Sequence, residues 1–254
     1  MKVFFVRKKT LTAVLTAAIL LVVAVTAGAI ALGGTKQTFS KSRELPIYSV
    51  GVKEKKIAIS FDCAWGVDYT DRLLEIMAEK NVVSTFFCVE FWTEKYPEYV
   101  EKIAKAGHDI GTHSATHPYM SKLDKNTIVK ELTTSSEAIE KITGKKVNVF
   151  RPPYGDYNDT LIRTARELGL YTIQWDVDSL DWKNLSAKEI YNRVVPKVQN
   201  GSIVLFHNNG LHTADALPDI IDALKGKGYE FVTIYDLIYK DGYYMDAEGR
   251  QQLE

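Results

Sequence analysis

Two histidines four residues apart, His113 and His117, form the pattern in this sequence with the clearest chemical meaning. On a helical turn, positions i and i+4 share one face, so both imidazoles can reach one cation. Neutral imidazole suits Zn²⁺, and also Co²⁺ and Ni²⁺. Pairs at this spacing also arise among surface residues, so the pair gains meaning only from the other reactive side chains along the chain.

Four further groups of reactive side chains lie between stretches that are typical of strands and helices. Each group alone has an ordinary structural explanation, since a carboxylate can cap a helix and an Arg-Pro-Pro sequence can form a rigid loop. Together with the histidine pair they span about 150 residues. In chain order the groups are Asp62-Cys63, Arg151-Pro152-Pro153-Tyr154-Gly155, Asp178-Ser179-Leu180-Asp181-Trp182 and Leu205-Phe206-His207.

In this order the five groups resemble the five motifs of the polysaccharide deacetylases, carbohydrate esterase family 4, also called the NodB-homology domain. Residues 107–111, Gly-His-Asp-Ile-Gly, match the strand that precedes the metal histidines of that family. The form Phe-Asp-Xaa-Ala-Trp-Gly from Phe61, on a single domain behind an apolar N-terminal segment, is similar to the sporulation deacetylases of spore-forming bacteria.

The resemblance implies a metal site and a general base. His113 and His117 would bind a divalent metal ion, Zn²⁺ first and Co²⁺ or Ni²⁺ as alternatives. Asp62 would take a proton from metal-bound water, because water at neutral pH is a poor nucleophile toward an amide. Arg151 would pair with this base and hold it charged.

The resemblance also implies a general acid and a set of substrate contacts. His207 would protonate the leaving amine, and Asp181 would orient and charge that imidazole. The backbone N–H of Tyr154, on a turn stiffened by two prolines, would donate to the oxyanion. Trp182 would form a wall of the sugar groove, and Leu205 would line the pocket for the acetyl methyl group.

Cys63 departs from the family pattern, because most members carry a second Asp there that completes an Asp-His-His metal site. Three interpretations are open from the sequence. The thiolate can be a ligand, since one thiolate and two imidazoles form an accepted zinc set. The thiol can be inert and buried, with the metal held by two histidines and water. The site can also be metal-free, with its chemistry lost or altered.

The charge distribution argues against nucleic-acid binding. The chain has 32 basic and 32 acidic residues, but four of the basic ones precede residue 10, which leaves 28 basic against 32 acidic in the remainder. A nucleic-acid-binding domain normally presents a basic surface. We therefore expect no nucleic acid among the partners of this mildly acidic body.

An uncharged segment near the N-terminus predicts a membrane partner. Residues 10–35 carry no charge, and a membrane helix needs about 20 apolar residues whereas a cleavable signal needs an apolar core of only about 7–15. The length favours an uncleaved anchor, although Ala27-Gly28-Ala29 would suit a signal peptidase. Basic residues before the segment predict a cytoplasmic amino end and an exported body.

Beyond residue 55, seven strand patterns alternate with helix patterns, which predicts βα units and a parallel sheet. Polar motif residues just after the strands suggest a barrel, but the pattern alone also allows a flat doubly wound sheet. The family resemblance implies the first of these, as a distorted (β/α)7-type barrel. The predicted fold is thus α/β, with the site at the C-terminal ends of the strands and one N-terminal membrane helix. The predicted segments are a cytoplasmic basic segment (1–9), an anchor or signal (10–33), a stem (34–54), the deacetylase domain (55–240) and a polar tail (241–254).

These observations predict an extracytoplasmic, membrane-anchored or secreted protein of the cell wall or spore envelope. Its expected activity is metal-dependent hydrolysis of the N-acetyl group of amino sugars in a wall glycan, with peptidoglycan during sporulation as the first choice. One alternative is a catalytically impaired wall-binding or assembly protein on the same fold, which Cys63 favours. Another is a deacetylase of chitin-like oligosaccharides.

Overall fold

The computed structural model describes residues 8–32 and 43–254. The chain divides into two compact units, Met1–Ser42 and Arg43–Glu254. Helix α1 (Lys8–Leu32) is the described part of the first unit. Most of the predicted basic segment 1–9 and about half of the predicted stem 34–54 lie outside the described residues.

The membrane helix predicted over residues 10–33 is not supported. Among the residues that the structure describes, no helix is both long enough and apolar enough to cross a membrane.

The second unit is an α/β fold on a sheet of eight strands. The strands of this unit are β1 (Ser49–Val50), β2 (Lys56–Cys63), β3 (Thr85–Cys88), β4 (Asp109–Thr112), β5 (Val149–Phe150), β6 (Tyr171–Thr172), β7 (Val177–Asp178), β8 (Ile203–His207), β9 (Glu230–Phe231), β10 (Tyr243–Met245) and β11 (Arg250–Leu253). The helices are α2 (Thr70–Glu79), α3 (Glu90–Lys95), α4 (Pro97–Lys105), α5 (Lys125–Thr143), α6 (Asp159–Glu167), α7 (Ala187–Val194), α8 (Thr213–Gly226) and α9 (Ile234–Leu237). Short 3₁₀ turns cover Met120–Lys122, Pro153–Gly155 and Asp181–Lys183.

The main sheet is parallel and curled, but it is open rather than a closed barrel. Its order is β6-β5-β4-β3-β2-β8-β7, with β9 paired to the start of β2. The predicted (β/α)7-type barrel is therefore confirmed only as a half-barrel. The gap between β6 and β7 has a physical cause. Ile47 lies against the end of β6, where its N–H donates to Thr172 O (2.9 Å) and its carbonyl oxygen accepts from Gln174 N (2.7 Å). This backbone strap bonds the edge groups of β6 that β7 would pair with in a closed barrel.

Side chains along β2 point alternately to the two faces of the sheet, so one face packs into the core and the other carries site residues. Ile59 and Phe61 are fully buried in the cluster that also contains the α2 and α8 side chains. Ser60 and Asp62 point to the other face and contact Arg151. Successive strand residues face opposite sides, so one strand supplies both the packing and the reactive groups.

Several helix ends follow the sequence rules. Ser186 and Glu189 form a capping box at the start of α7, and α5 ends at Gly144 in the left-handed region (φ 67°). Helix α8 begins at Thr213 and contains Pro218. Proline favours the first turn of a helix, but it lies inside this one.

The two predicted segments that flank the domain are part of the fold. Residues 46–52 of the predicted stem include β1, which pairs with β11, and Val50 is fully buried. The predicted polar tail forms β10 and β11, which pair antiparallel. The side chain of Gln251 is buried and bonds both the N–H and the carbonyl of Tyr239 (2.8 Å each). The polar composition of the tail did not predict β10 and β11. The buried Gln251 is held by hydrogen bonds, and an apolar pattern does not reveal such contacts.

Candidate active site

The predicted site residues converge at the C-terminal edge of the sheet. Asp62 and His207 are neighbours on β2 and β8, His113 follows β4, and Arg151 follows β5. They surround a cavity of about 670 Å³. Its lining includes Asp62, Ala64, Trp65, His113, His117, Tyr154, Trp175, Asp178, Trp182, Leu205, His207 and Asn208.

Asp62 and Arg151 form a buried ion pair, with Arg151 Nη1 2.8 Å from Asp62 Oδ1. The guanidinium is fully buried, donates through Nη2 to Ser60 Oγ (2.8 Å), and lies 4.2 Å from the centre of the Phe87 ring. Burial alone would raise the pKa of Asp62, but the charges of Arg151, His113 and His207 outweigh it and lower the pKa below its usual 3.8. Asp62 is therefore an ionised base at neutral pH.

His207 and Asp181 form the second pair, with His207 Nδ1 2.7 Å from Asp181 Oδ1. The other carboxylate oxygen accepts from the His207 backbone N–H (2.8 Å) and from Thr213 Oγ1 (2.6 Å). Burial lowers the pKa of His207, but the hydrogen bond and charge of Asp181 outweigh it and raise the pKa above 6.5. This imidazole is suited to donate a proton from Nε2, which faces away from the carboxylate.

The His113/His117 pair meets as predicted, but not on a helical turn. The two rings lie 5.0 Å apart in a loop, and Ser114 (φ 71°) and His117 (φ 59°) adopt the left-handed region. The two left-handed residues bring the rings together in place of the helical i, i+4 geometry that the spacing suggested. His117 N–H donates to Ser114 Oγ (3.1 Å), which closes the loop.

Glu131 on α5 holds this loop in place. Its buried carboxylate accepts from the N–H groups of Ala115 (2.9 Å) and Thr116 (2.8 Å) and from Thr116 Oγ1 (2.7 Å). The sequence gives no sign of this role, because a Glu within a helix does not indicate which groups it bonds. We infer that Glu131 positions both histidines.

Glu131→Ala should weaken Zn²⁺ binding by about 10–100-fold, the effect typical of groups that orient metal ligands. Removing the carboxylate leaves two loop N–H groups without their acceptor, so the imidazoles lose their fixed spacing. A Zn²⁺ titration of the purified protein measures the change. The control is Glu137→Ala, an exposed residue of the same helix, and equal affinities for the two variants would contradict the positioning role.

Cys63 does not line the cavity. Its side chain is fully buried in the core cluster and lies beside Cys88 in the register of β2 and β3. Burial, a hydrogen bond with Cys88 and the nearby Asp62 raise the pKa of the thiol well above 9.0. The thiol is therefore protonated at neutral pH, and its placement supports the inert, buried interpretation over the ligand interpretation.

The two imidazoles fit a divalent metal ion, but among the residues that the structure describes no third ligand accompanies them. His113 Nδ1 bonds Arg151 O (2.8 Å), which leaves Nε2 facing the Asp62 carboxylate at 3.5 Å. His117 Nδ1 is buried without a hydrogen-bond partner, and burial beside His113 lowers the pKa of this ring to about 4, so it is neutral. Within residues 8–32 and 43–254, no group of three or more His, Cys, Asp or Glu side chains is arranged to hold a metal.

The three predicted substrate contacts all line the cavity. Leu205 is buried on β8, and Trp182 is 56% exposed on a 3₁₀ turn. Tyr154 is in the left-handed region (φ 60°). The N–H groups that close its turn are those of Gly155 and Asp156, bonded to Pro152 O and Pro153 O. The oxyanion role of the Tyr154 N–H stays a prediction.

The remaining two histidines, His108 and His212, are not among the residues that line the cavity. His108 is buried, and its Nδ1 accepts from Ser84 N–H (3.1 Å); burial lowers its pKa to about 4. His212 is part-exposed and pairs with Asp215 (3.0 Å). Ser60, which bonds Arg151, was not among the predicted site residues, although its place two residues before Asp62 puts it on the same face of β2.

Comparison with known proteins identifies the family. The Polysaccharide deacetylase profile matches residues 49–173. A peptidoglycan-N-acetylglucosamine deacetylase of Bacillus cereus is 35% identical over 75% of this chain and 92% of its own length. The uncharacterized protein YlxY of Bacillus subtilis is also 35% identical, over 76% of this chain but only 60% of its own length. The chain therefore belongs to the polysaccharide deacetylase family.

Two solved structures of one related protein, a pseudoenzyme and its reactivated mutant, are also similar to this chain. BA3943 of Bacillus anthracis, described as a pseudoenzyme of carbohydrate esterase family 4, is 34% identical over 76% of this chain and 68% of its own, with a TM-score of 0.73. A mutant of BA3943 with restored enzymatic activity is 35% identical over 76% of this chain and 70% of its own, with the same TM-score.

Proposed function

We propose that this protein is a deacetylase that hydrolyses the N-acetyl group of amino sugars in a cell-wall glycan, most directly peptidoglycan. The observation that carries the proposal is the presence of two charged pairs in one cavity, Asp62 with Arg151 and His207 with Asp181. Asp62 and His207 lie side by side on the adjacent strands β2 and β8. A binding protein needs neither an ionised base nor a charged imidazole. The related Bacillus cereus deacetylase supports the same substrate class.

The chain's own residues supply a base and an acid at different moments. Asp62, kept ionised by Arg151, takes a proton from the attacking water. His207, kept protonated by Asp181, gives a proton to the departing amine nitrogen. Leu205 contacts the acetyl methyl group, and the Tyr154 N–H donates to the oxygen that becomes negative.

A divalent metal ion would be held by His113 and His117. When bound, Zn²⁺, Co²⁺ or Ni²⁺ supplies Lewis-acid activation of water and of the acyl oxygen. Two protein ligands predict weaker binding than a three-ligand site.

Acetate release tests the proposal. The purified protein, supplied with Zn²⁺, Co²⁺ or Ni²⁺ in turn, should release acetate from N-acetylated peptidoglycan, and chitooligosaccharides serve as the competing substrate class. Release from chitooligosaccharides alone would favour the chitin-type alternative. Release from neither glycan with any of the three metals would contradict deacetylation.

A second candidate function is a wall-binding protein that has lost activity. Cys63 favours it, because the family's third metal ligand is replaced by a thiol that is turned into the core. The similarity to the pseudoenzyme BA3943 points the same way. Glycan binding without acetate release would make this the better account.

The place of action follows from the substrate. A protein that acts on peptidoglycan works outside the cytoplasmic membrane, so we propose an extracytoplasmic location in the cell wall or spore envelope. The Phe-Asp-Xaa-Ala-Trp-Gly form beginning at Phe61 supports a role in sporulation.

The alkaline limit of activity should depend on Asp181. His207 must be protonated to act as an acid, and Asp181 raises its pKa above 6.5, so activity should persist above pH 6.5 and fall as pH rises through the raised pKa. Asp181→Asn removes the charge that favours the protonated ring and should move the alkaline limb of kcat/KM to lower pH. An unshifted limb in the variant would show that another group sets it.

A further inference from the structure

Trp65 is a large apolar side chain that contributes little to the core. It follows β2 on the rim of the cavity and is 63% exposed. Burying a large aromatic side chain is a major source of stability. Because the Trp65 indole is mostly exposed, it contributes little of this stability. An exposed indole beside reactive side chains therefore calls for an explanation outside folding.

The loop that carries Trp65 is fixed. The carbonyl oxygen of Gly66 accepts from Trp92 Nε1 (2.8 Å) and from Asn208 Nδ2 (2.9 Å). Gly66 has a φ of 63°, and a Cβ there would lie 2.6 Å from the Asn209 side-chain nitrogen. These contacts tie the loop to α3 and to the residue after His207, so the Trp65 backbone is held before any ligand arrives.

The Trp65 ring belongs to an aromatic surface next to the candidate metal ligands. It meets the His117 ring edge to face at 5.1 Å, and His117 in turn meets Tyr154 at 4.6 Å. Trp182 lines the same cavity and is also more than half exposed. The cavity thus has two exposed indoles on its lining, together with Asp62 and His207.

We propose that Trp65 is a glycan-positioning residue, which stacks its indole against the apolar C–H face of a hexosamine ring and, with Trp182, fixes the sugar in the cavity. A pyranose ring presents hydroxyl groups at its edge and C–H groups on its face, so an indole removes the face from water and leaves the edge to polar groups. This inference rests on the proposed function, and it assigns a substrate contact to a residue for which the family resemblance implied no role.

Calorimetric titration of the full-length protein with tetra-N-acetylchitotetraose and with a peptidoglycan-derived tetrasaccharide tests the proposal. All variants carry Asp62→Asn, so that the glycan is not consumed. Trp65→Ala should raise the Kd by about tenfold, which corresponds to ~1.4 kcal/mol, whereas Trp65→Phe should stay within about threefold of the parent. The control is Tyr244→Ala, an aromatic residue outside this cavity that is 53% exposed, and it should leave the Kd unchanged.

The outcomes separate this inference from the proposed function. Glycan binding that depends on Trp65, with no acetate release by the otherwise wild-type protein, would contradict deacetylation and leave the positioning role standing. Acetate release with an unchanged Kd and KM in Trp65→Ala would overturn the positioning role alone. Equal losses in Trp65→Ala and Tyr244→Ala, or no binding of either tetrasaccharide to the parent, would also overturn it.

Discussion

Asp62→Asn should reduce the rate of acetate release by about 10²–10⁴-fold, the range expected when a general base is removed. The amide has nearly the shape of the carboxylate but cannot take up the proton of the attacking water. Its oxygen can still accept from Arg151 Nη1, now 2.8 Å away, so the loss should appear in kcat more than in KM. Steady-state kinetics at neutral pH measure both constants.

Two controls make this result specific. Asp71→Asn alters an exposed carboxylate that pairs with Lys102 (2.8 Å), and it should leave the rate within about twofold, since exposed ion pairs contribute little. Thermal unfolding shows whether the loss of charge beside the buried Arg151 destabilises the fold, because an unpaired buried charge is costly. A folded Asp62→Asn protein with the wild-type rate would contradict the assignment of the base.

His113→Ala should abolish stoichiometric Zn²⁺ binding, and His117→Ala should do the same. With two protein ligands available, the loss of either leaves a single imidazole, which cannot compete with water at micromolar metal. Titration of the dialysed protein followed by metal analysis gives the stoichiometry without reference to activity. Wild-type protein that takes up no Zn²⁺ or Co²⁺ at micromolar concentration would contradict the metal site.

The matched variants change Cys63. Cys63→Ala should keep the Zn²⁺ affinity within about threefold, because the protonated thiol is directed into the core and not toward the histidines. A large loss would instead identify the thiolate as a ligand. Cys63→Asp tests the opposite case. A gain in Zn²⁺ affinity of at least about tenfold would show that a carboxylate at position 63 turns out of the core and reaches the metal, whereas a side chain that stays in the core should not tighten binding.

The sequence could predict where most of the candidate site residues lie, because they stand at or shortly after the ends of strands. Asp62 and His207 end β2 and β8, and parallel neighbours bring such ends to one edge. The pairing of His113 with His117 was predicted correctly, but the backbone that achieves it was not. A spacing of four suggests a helix, whereas left-handed residues in a loop reach the same result.

What the sequence could not predict depends on contacts between distant residues. Glu131 is separated by 15 or 16 residues from the loop it bonds, and nothing in its own neighbourhood indicates that contact. The openness of the sheet is a similar case. Whether seven short strands close depends on what lies against β6, and the answer is a strap around Ile47 that composition assigns to a stem.

That strap defines the smallest part of the chain that can fold in this way. A protein that begins at residue 55 would keep every residue of the candidate active site, but it would lose the backbone strap that covers β6. The exposed N–H and carbonyl groups would then be available to another copy of the same strand, which is a route to aggregation. The partner strand of β11 would go with it, since β1 lies in the same segment. The N-terminal folding boundary of this domain therefore lies upstream of its first motif by more than the length of a strand.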